Sequence, residues 1–347
     1  MAYPPGRDAD SAPISNTPLQ PSQVEDDIDW LPPAPPFAPP RRDRIWVHVL
    51  LLLLTVASTT LVGACHYLSF QQGFEPVRPL DEQAGREFVA GLFSQPGFYL
   101  HGLWYSLTVL GILGCHEMGH YVACLRYGVD ATRPYFLPAP LPLTGTLGAF
   151  IRIRSRIPSK IALFDIGIAG PIAGFVVAVP ALFVGLGLSE VVRLPDDQSN
   201  LMSLGEPLLF RLAAWLVFGN VADGYSINMH PMAFAAWFGL LATALNLFPI
   251  AQLDGGHISY SVLGRRSLWV TLAMVAIAIT LTFVSSSWIA WTVMLVLMLV
   301  LVGPRHPPTL DDDTPLGSTR LWLAIVALVM LIVCFTPAPI EPFVTGQ

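Results

Sequence analysis

Charged residues are scarce in this sequence. Only 12% of the 347 residues are charged, whereas 53% are apolar and the mean hydropathy is +0.58. An ordinary soluble domain carries about 25% charged residues. The composition therefore excludes a typical water-soluble globular protein and predicts an integral membrane protein.

Basic residues and cysteines are also few. The 18 basic residues against 24 acidic ones give a formal net charge of −6, and Lys160 is the single lysine. Positive charges are few, and no basic cluster occurs beyond Arg41, Arg42 and Arg44. Nucleic acid is therefore not expected as a partner. The four cysteines are irregularly spaced and three lie in or beside apolar runs, so no disulfide framework is predicted.

Long apolar runs dominate the remainder. A helix that crosses about 30 Å of hydrocarbon needs about 20 apolar residues. Seven stretches meet or approach this length: 45–64, 99–125, 161–188, 232–249, 268–284, 288–302 and 321–335. A weaker stretch at 207–219 contains Arg211 and predicts a helix that lies along the membrane interface. We therefore predict an all-α polytopic membrane protein with about seven transmembrane helices.

The distribution of basic residues predicts an orientation. Residues 1–44 hold eleven of the 32 prolines without an apolar period, which predicts a disordered tail. If this tail is cytoplasmic, fourteen of the eighteen basic residues fall on the cytoplasmic side, as the positive-inside rule expects. The expectation is a cytoplasmic N-terminus and an external C-terminus, in a bacterial inner (plasma) membrane.

The second apolar stretch contains a motif that can bind a metal ion. In His116-Glu117-Met118-Gly119-His120, the two histidines are four residues apart and share one face of a helix. Zinc suits two imidazoles, and the glutamate between them can take a proton from a water at the ion. An isolated structural pair of histidines is the alternative, but ionisable groups in an apolar span are costly unless they are paired or bound to metal.

A third ligand is expected, because catalytic zinc sites usually have three protein ligands and a water. Asp254 follows the Pro249 break and precedes Gly255, at the end of the fourth stretch. A break of this kind is tolerated at membrane depth where protein or water receives the freed backbone groups. With the predicted orientation, Asp254 reaches the same cytoplasmic depth as the histidine motif. His257 is a rival ligand, and a turn or cap role is the alternative for Asp254.

Together these motifs resemble the site-2 protease family of intramembrane zinc metalloproteases. The resemblance rests on His116-Glu117-x-x-His120 in one span and Asn246-x-x-Pro249-x-x-x-x-Asp254-Gly255 in a later one. It extends over about 99–265 and is similar in particular to the branch that includes plastid proteins named for yellow-green, gravitropism-deficient plants, together with many bacterial proteins. No PDZ or CBS domain is recognisable, so a gating role of such domains is not carried over.

The resemblance implies a three-helix catalytic core formed by the second to fourth spans. It implies Zn²⁺ as cofactor, with His116, His120 and Asp254 as ligands and Glu117 as general base. It also implies that Asn246 positions substrate or stabilises an oxyanion, for which an interhelical hydrogen bond is the alternative. The predicted organisation is a tail (1–44), a first span with an external loop (45–98), the catalytic core (99–265) and C-terminal helices (266–347).

A β-hairpin at about 134–156 predicts how a substrate is held. Residues 149–155 alternate isoleucine with arginine, and prolines and glycines before them supply turns. A strand that dips into the interface would offer a free edge to an unwound substrate. The predicted substrate-binding residues are Gly145, Gly148, Phe150 and Ile151. An arginine-rich loop held by lipid headgroups is the alternative.

The predicted function is zinc-dependent hydrolysis of peptide bonds in or near transmembrane segments of membrane proteins. The expected partners are a membrane protein substrate with a transmembrane helix and the lipid bilayer. Two alternatives differ in class. One is a metal-binding membrane transporter or channel, which intramembrane histidine and aspartate favour. The other is a membrane-anchored zinc protease that acts on soluble or unfolded chains.

Overall fold

The fold is seen in a computed structural model. It describes residues 43–74, 91, 93–139, 141, 143–195, 202–250, 252–283, 287–303 and 306–342. Nearly all of the predicted Pro-rich tail lies outside these residues, and only Asp43 and Arg44 of it are described. Asp43 accepts hydrogen bonds from the backbone N–H of Arg133, at 3.2 Å, and from the guanidinium of Arg154.

The described part of the chain is mostly helical. Its α-helices are α1 (Ile45–Gln72), α2 (Pro96–Arg126), α3 (Lys160–Gly187), α4 (Leu208–Phe218), α5 (Pro231–Leu247), α6 (Asp254–Leu263), α7 (Ser267–Thr282), α8 (Ser287–Val302) and α9 (Ser318–Cys334). A 3₁₀ turn, Gly264–Arg266, joins α6 to α7. Each predicted apolar stretch is therefore represented by a helix.

Four helical runs are long and apolar enough to cross a membrane. They are Ile45–Gln72, Pro96–Arg126, Lys160–Gly187 and Asp254–Thr282, the last of which combines α6, the 3₁₀ turn and α7. Helices α4, α5 and α9 are apolar but have 17 residues or fewer. The protein is thus an integral membrane protein by its helices, while the count of about seven spans stays a prediction.

Besides the helices, the described residues contain three small antiparallel sheets, whereas the sequence predicts a single small hairpin. Strand β1 (Tyr135–Pro138) pairs with β2 (Thr146–Phe150), β3 (Glu190–Arg193) with β5 (Tyr225–Asn228), and β4 (Met202–Leu204) with β6 (Ile340–Pro342). The β1–β2 pair lies within the region predicted as a hairpin, and its insertion into the membrane stays a prediction. The other two pairs join loops that are distant in sequence, which no local pattern reveals.

Helices α2, α3 and α5 pack around one buried apolar cluster. The side chains involved come from the part of α2 that precedes the histidine motif and from α3 and α5. They include Tyr105, Val109 and Ile112 of α2, Leu182 and Leu186 of α3, and Trp237 and Leu240 of α5. This packing holds together the three helices that carry or adjoin the histidine motif.

The ends of α2, α3 and α9 nearest the histidine motif are joined by an ion pair. The guanidinium of Arg320 donates two hydrogen bonds of 2.8 Å to the carboxylate of Asp165, which also accepts a hydrogen bond from the Tyr127 hydroxyl. Burial, followed by the neighbouring Asp165 carboxylate, raises the pKa of Tyr127 and keeps the phenol protonated as a donor. Asp165 thus connects neighbouring helices and is not a metal ligand.

Helices α1 and α2 approach each other through glycines. A Cβ added at Gly102 would lie 2.1 Å from the carbonyl oxygen of Thr60, and a Cβ at Gly63 would lie 2.4 Å from the carbonyl oxygen of Gly102. The hydroxyls of Thr59 and Ser106 hydrogen-bond across the same interface at 2.7 Å. Small residues at such contacts let backbones come close in a lipid environment.

We expect Gly102→Ala to destabilise the protein by about 1–3 kcal/mol, because the added methyl group overpacks this contact. Gly111→Ala in the same helix is the matched control, since a Cβ there would meet no atom within 4 Å. The control is expected to be neutral, or stabilising by about 0.5–1 kcal/mol. Thermal unfolding of the two variants in detergent measures the difference, and equal melting temperatures would contradict the close contact.

Candidate metal centre

Helix α2 carries three polar residues on a buried face near its C-terminal end. His116, Glu117 and His120 are 5%, 7% and 6% exposed, respectively. The spacing of four residues brings both imidazoles to one side of the helix. Their Nε2 atoms are 3.1 Å apart.

The carboxylate of Asp254 reaches the same point from a different part of the chain. Helix α5 ends at Leu247, before Pro249, and a short turn leads to Asp254 as the first residue of α6. This turn folds back closely, because a Cβ at Gly255 would lie 1.9 Å from the carbonyl oxygen of Leu247. The break predicted at Pro249 is therefore a gap between two helices.

The donor atoms of the three residues converge. Asp254 places Oδ2 3.1 Å from His116 Nε2 and Oδ1 3.2 Å from His120 Nε2. The three residues form a candidate metal-binding group, in which the ligand atoms all lie within 4.8 Å of one another. Among the described residues, no other group of three or more such side chains meets this criterion.

The donor set fits zinc. Ligands at about 2.0–2.1 Å in a tetrahedral zinc site are about 3.3 Å from each other, close to the separations observed here. His120 Nδ1 lies 2.7 Å from the carbonyl oxygen of Ile166, which can only accept, so Nδ1 carries the proton and Nε2 presents a lone pair. His120 Nε2 and Asp254 Oδ2 each lie 3.1 Å from His116 Nε2, and one hydrogen at His116 can bond to only one of them, whereas a cation can bind all three atoms.

Glycines of α3 make room for the imidazole rings. A Cβ at Gly170 would lie 2.1 Å from His120 Nε2, and a Cβ at Gly174 would lie 3.2 Å from His116 Cβ. The glycine pattern of this helix indicates close packing from the sequence alone. The structure identifies the packing partners as the two candidate ligands.

Glu117 and Asn246 lie beside the donor set without joining it. Glu117 Oε1 is 4.0 Å from His116 Nε2, and its carboxylate accepts a hydrogen bond from the backbone N–H of Ile151. Asn246, near the end of α5, places its amide nitrogen 3.2 Å from His116 Nε2. All these groups line a cavity of about 230 Å³, together with exposed Gln252.

Of the four residues predicted to bind substrate, two line the cavity and two do not. Phe150 and Ile151 line the cavity. Gly148 lies within β2 at a φ of +103°, and Gly145 forms a turn at a φ of +69°, where a Cβ would lie 2.9 Å from the carbonyl oxygen of Ser58 in α1. Gly145 therefore seats the hairpin against α1, outside the residues that line the cavity.

His257, the rival ligand, has a different partner. Its Nδ1 lies 2.7 Å from Nε2 of His306, which comes from the segment between α8 and α9. Burial lowers the pKa of His306, whose Nδ1 donates to the Pro307 carbonyl oxygen at 2.6 Å. His306 therefore accepts from His257, although His257 also lines the cavity. No sequence pattern points to this pair, because 49 residues separate the two rings.

A buried His-His-Asp set with a glutamate beside it, in helices long enough to span a membrane, has the ligand and base types of a zinc hydrolase site. The chain belongs to peptidase family M50, whose family model matches residues 104–287. This membership confirms the resemblance to the site-2 proteases.

Similar proteins come from plants. The chain is 31% identical over 321 residues to "Probable zinc metalloprotease EGY1, chloroplastic" of Arabidopsis thaliana, covering 86% of this chain and 54% of the relative. The protein of that name from Oryza sativa subsp. japonica is 29% identical over 86% of this chain and 52% of its own. The chain is 26% identical to "Probable zinc metalloprotease EGY2, chloroplastic" of Arabidopsis thaliana, over 69% of this chain and 42% of the relative. The chain thus spans about half the length of the curated relatives it matches.

We expect Gly170→Ala to weaken zinc binding by about 10–100-fold, because the new methyl group displaces the His120 ring from its position. Gly187→Ala, in the same helix, is the matched control, since a Cβ there would meet no atom within 4 Å. Zinc bound per chain is measured after equilibration with a competing chelator. Wild-type affinity in Gly170→Ala would show that the helix contact does not orient the ligand.

Proposed function

We propose that this protein is an intramembrane zinc endopeptidase that hydrolyses peptide bonds in or near transmembrane segments of membrane proteins. The observation that carries the proposal is the convergence of His116, His120 and Asp254, with Glu117 next to them, inside an apolar helix bundle. Membership of family M50 supports the same activity.

Each polar residue of the cavity has a role in the proposed reaction. His116, His120 and Asp254 would hold a zinc ion, which would supply Lewis acidity and activate a water. Glu117 takes the proton of the attacking water and delivers it to the leaving amine. The amide of Asn246 donates a hydrogen bond to the carbonyl oxygen of the substrate as negative charge develops there. Gln252 marks the exposed side of the cavity, from which water enters.

We further propose that substrate binds as an added strand along β2 and its continuation. Backbone groups of Arg152 and Arg154 bond to the neighbouring segment: Thr132 N donates to Arg152 O at 3.0 Å, and Arg154 N donates to Asp130 O at 2.8 Å. Alternate residues of a strand point their backbone groups to opposite sides. Ile153 therefore directs its N–H and C=O towards the cavity, where an unwound substrate can pair with them, whereas the N–H of Ile151 is already donated to Glu117.

The placement in the membrane is also a proposal. Arg126, Arg152, Arg156 and Lys160 lie close to the ends of α2 and α3 that hold the metal centre. The positive-inside rule then puts the site nearer the cytoplasm, with the N-terminus cytoplasmic, seven spans and an external C-terminus. The bacterial plasma membrane is proposed from the family resemblance alone, because the matched relatives are named as chloroplastic.

A transporter or channel is less well supported. Metal transport does not require a glutamate such as Glu117, whose Oε1 lies 4.0 Å from His116 Nε2 and whose carboxylate accepts a hydrogen bond from Ile151. A base beside the metal serves peptide hydrolysis, and a strand beside the base can hold an extended substrate.

We expect Glu117→Gln to lower the cleavage rate of a single-span substrate by about 10²–10⁴-fold, because the amide cannot accept the proton of water. Zinc content and melting temperature are expected to stay at wild-type values, since Glu117 is not a ligand. His116→Ala, by contrast, should lose both zinc and cleavage. Undiminished zinc-dependent cleavage by Glu117→Gln would reject the assigned base, and zinc flux into vesicles without any cleavage would favour the transporter.

We expect Ile153→Pro to raise the KM for the same substrate by about fivefold, because proline removes an N–H that faces the cavity. Ile153→Ala keeps this N–H and is the matched control for loss of the side chain. Melting temperatures of both variants check that the hairpin is intact. A wild-type KM for a folded Ile153→Pro variant would contradict strand addition at this edge.

A further inference from the structure

A second cavity adjoins the metal centre. It has a volume of about 720 Å³ and shares five lining residues with the smaller cavity: Phe150, Ile151, Ile153, Gln252 and His257. One wall is the extended segment 150–157, and the other is the segment 306–310 that precedes α9. We call this space the flank groove. It leads away from the candidate catalytic residues, so a chain held at Glu117 can continue into it.

The first wall of the flank groove has an unused backbone edge. Ala131 and Ile153 form an antiparallel bridge, whose hydrogen bonds engage the residues on either side of Ile153. The backbone N–H and C=O of Ile153 consequently point away from this bridge and towards the groove. In the described part of the chain, neither group has a hydrogen-bond partner.

The second wall does not complete the sheet. Pro307 and Pro308 have no N–H to donate to the facing edge. Among the described residues, the backbone hydrogen bonds between the two walls lie at the far end, where Leu310 N donates to the carbonyl oxygen of Ile157 at 3.2 Å and Asp311 N donates to that of Pro158 at 3.1 Å. The groove is therefore closed at one end and has an open strand edge along its length.

The charged side chains that line the flank groove are basic. Arg152 and Arg156 are exposed and line it, and no described carboxylate lies within ion-pair distance of either one. Arg154, between them, pairs with Asp43. Asp311 and Asp312 follow the second wall but do not line the groove, and their carboxylates accept hydrogen bonds from Thr314 and from Thr309 and Tyr260, respectively.

We propose that the flank groove binds the part of the substrate that follows the cleavage site out of the membrane, in an extended conformation, and that it selects acidic residues there. The inference rests on the proposed protease function and adds a substrate class to it. Backbone pairing with Ile153 holds the flank, and the guanidinium groups of Arg152 and Arg156 bind its carboxylates. Acidic side chains four residues apart on an extended flank match the spacing of the two arginines.

The test uses the full-length protein in two sets of nanodiscs, one of neutral lipid and one that contains anionic lipid, and three single-span substrates. The substrates differ only in four flank residues, which are glutamate, glutamine or lysine. We expect kcat/KM to be about tenfold higher for the glutamate flank than for the lysine flank, mainly through KM, since charge-assisted hydrogen bonds are the stronger kind. The double variant Arg152→Glu/Arg156→Glu is expected to reverse this preference.

Arg265→Glu/Arg266→Glu is the matched control. These exposed arginines lie in the 3₁₀ turn, outside the residues that line the groove, and their reversal changes the net charge equally. The control is expected to keep the wild-type order of the three substrates. The milder variant Arg152→Gln/Arg156→Gln should abolish the preference, and it keeps the proposal testable if the double reversal does not fold.

Three outcomes would overturn the proposal while leaving the protease function intact. In the first, wild type cleaves all three substrates equally well while Glu117→Gln cleaves none. In the second, both double reversals change the preference equally, which indicates a general surface charge effect. In the third, Arg152→Glu/Arg156→Glu matters only in nanodiscs with anionic lipid and affects all flanks alike, which indicates that the arginines bind headgroups. Absence of any zinc-dependent cleavage by wild type would instead reject the proposed function itself.

Discussion

An ionisable side chain in an apolar helix bundle must be paired, bound to a metal or neutralised, and much of this structure serves that requirement. Two imidazole nitrogens and a carboxylate point at one another at separations of 3.1 to 3.2 Å. Lone pairs that face one another in this way need protons or a shared cation between them, and a bound zinc ion would supply the cation. The backbone supports it in two ways, because the Ile166 carbonyl fixes the proton on His120 Nδ1 and the turn after α5 brings Asp254 to the site.

The helices around this centre differ in what they contribute. Helix α2 supplies two ligands and the glutamate, whereas α3 contributes space, because its glycines leave room for the imidazole rings. The contact is close enough that even one methyl group at Gly170 would overlap His120. Asp165 and Arg320 then connect the same end of α3 to α9. Helix α9 is thereby linked to α3, which packs against the candidate ligands, although α9 supplies none of them.

Local sequence patterns predicted the parts of the site that depend on a single helix or a single break. The spacing of His116 and His120 is a property of one helix, and Asp254 stands out because a carboxylate after a proline break is rare in an apolar run. Patterns could not predict features that need distant segments to meet. The β3–β5 and β4–β6 sheets join separate loops, and His257 finds His306 across 49 residues. Apolar length alone also could not decide how many helices cross, since α5 and α9 have only 17 residues each.

The ligands of the metal centre lie far apart along the chain. His116 and His120 belong to α2, while Asp254 opens α6, so a bound ion closes a loop that runs from residue 120 to residue 254. Closing a loop of that length restricts the unfolded chain as a disulfide does, and the four cysteines of this protein form none. A bound ion would thus be a reversible cross-link between two distant parts of the chain, and its binding would stabilise the assembled helix bundle as well as supply chemistry.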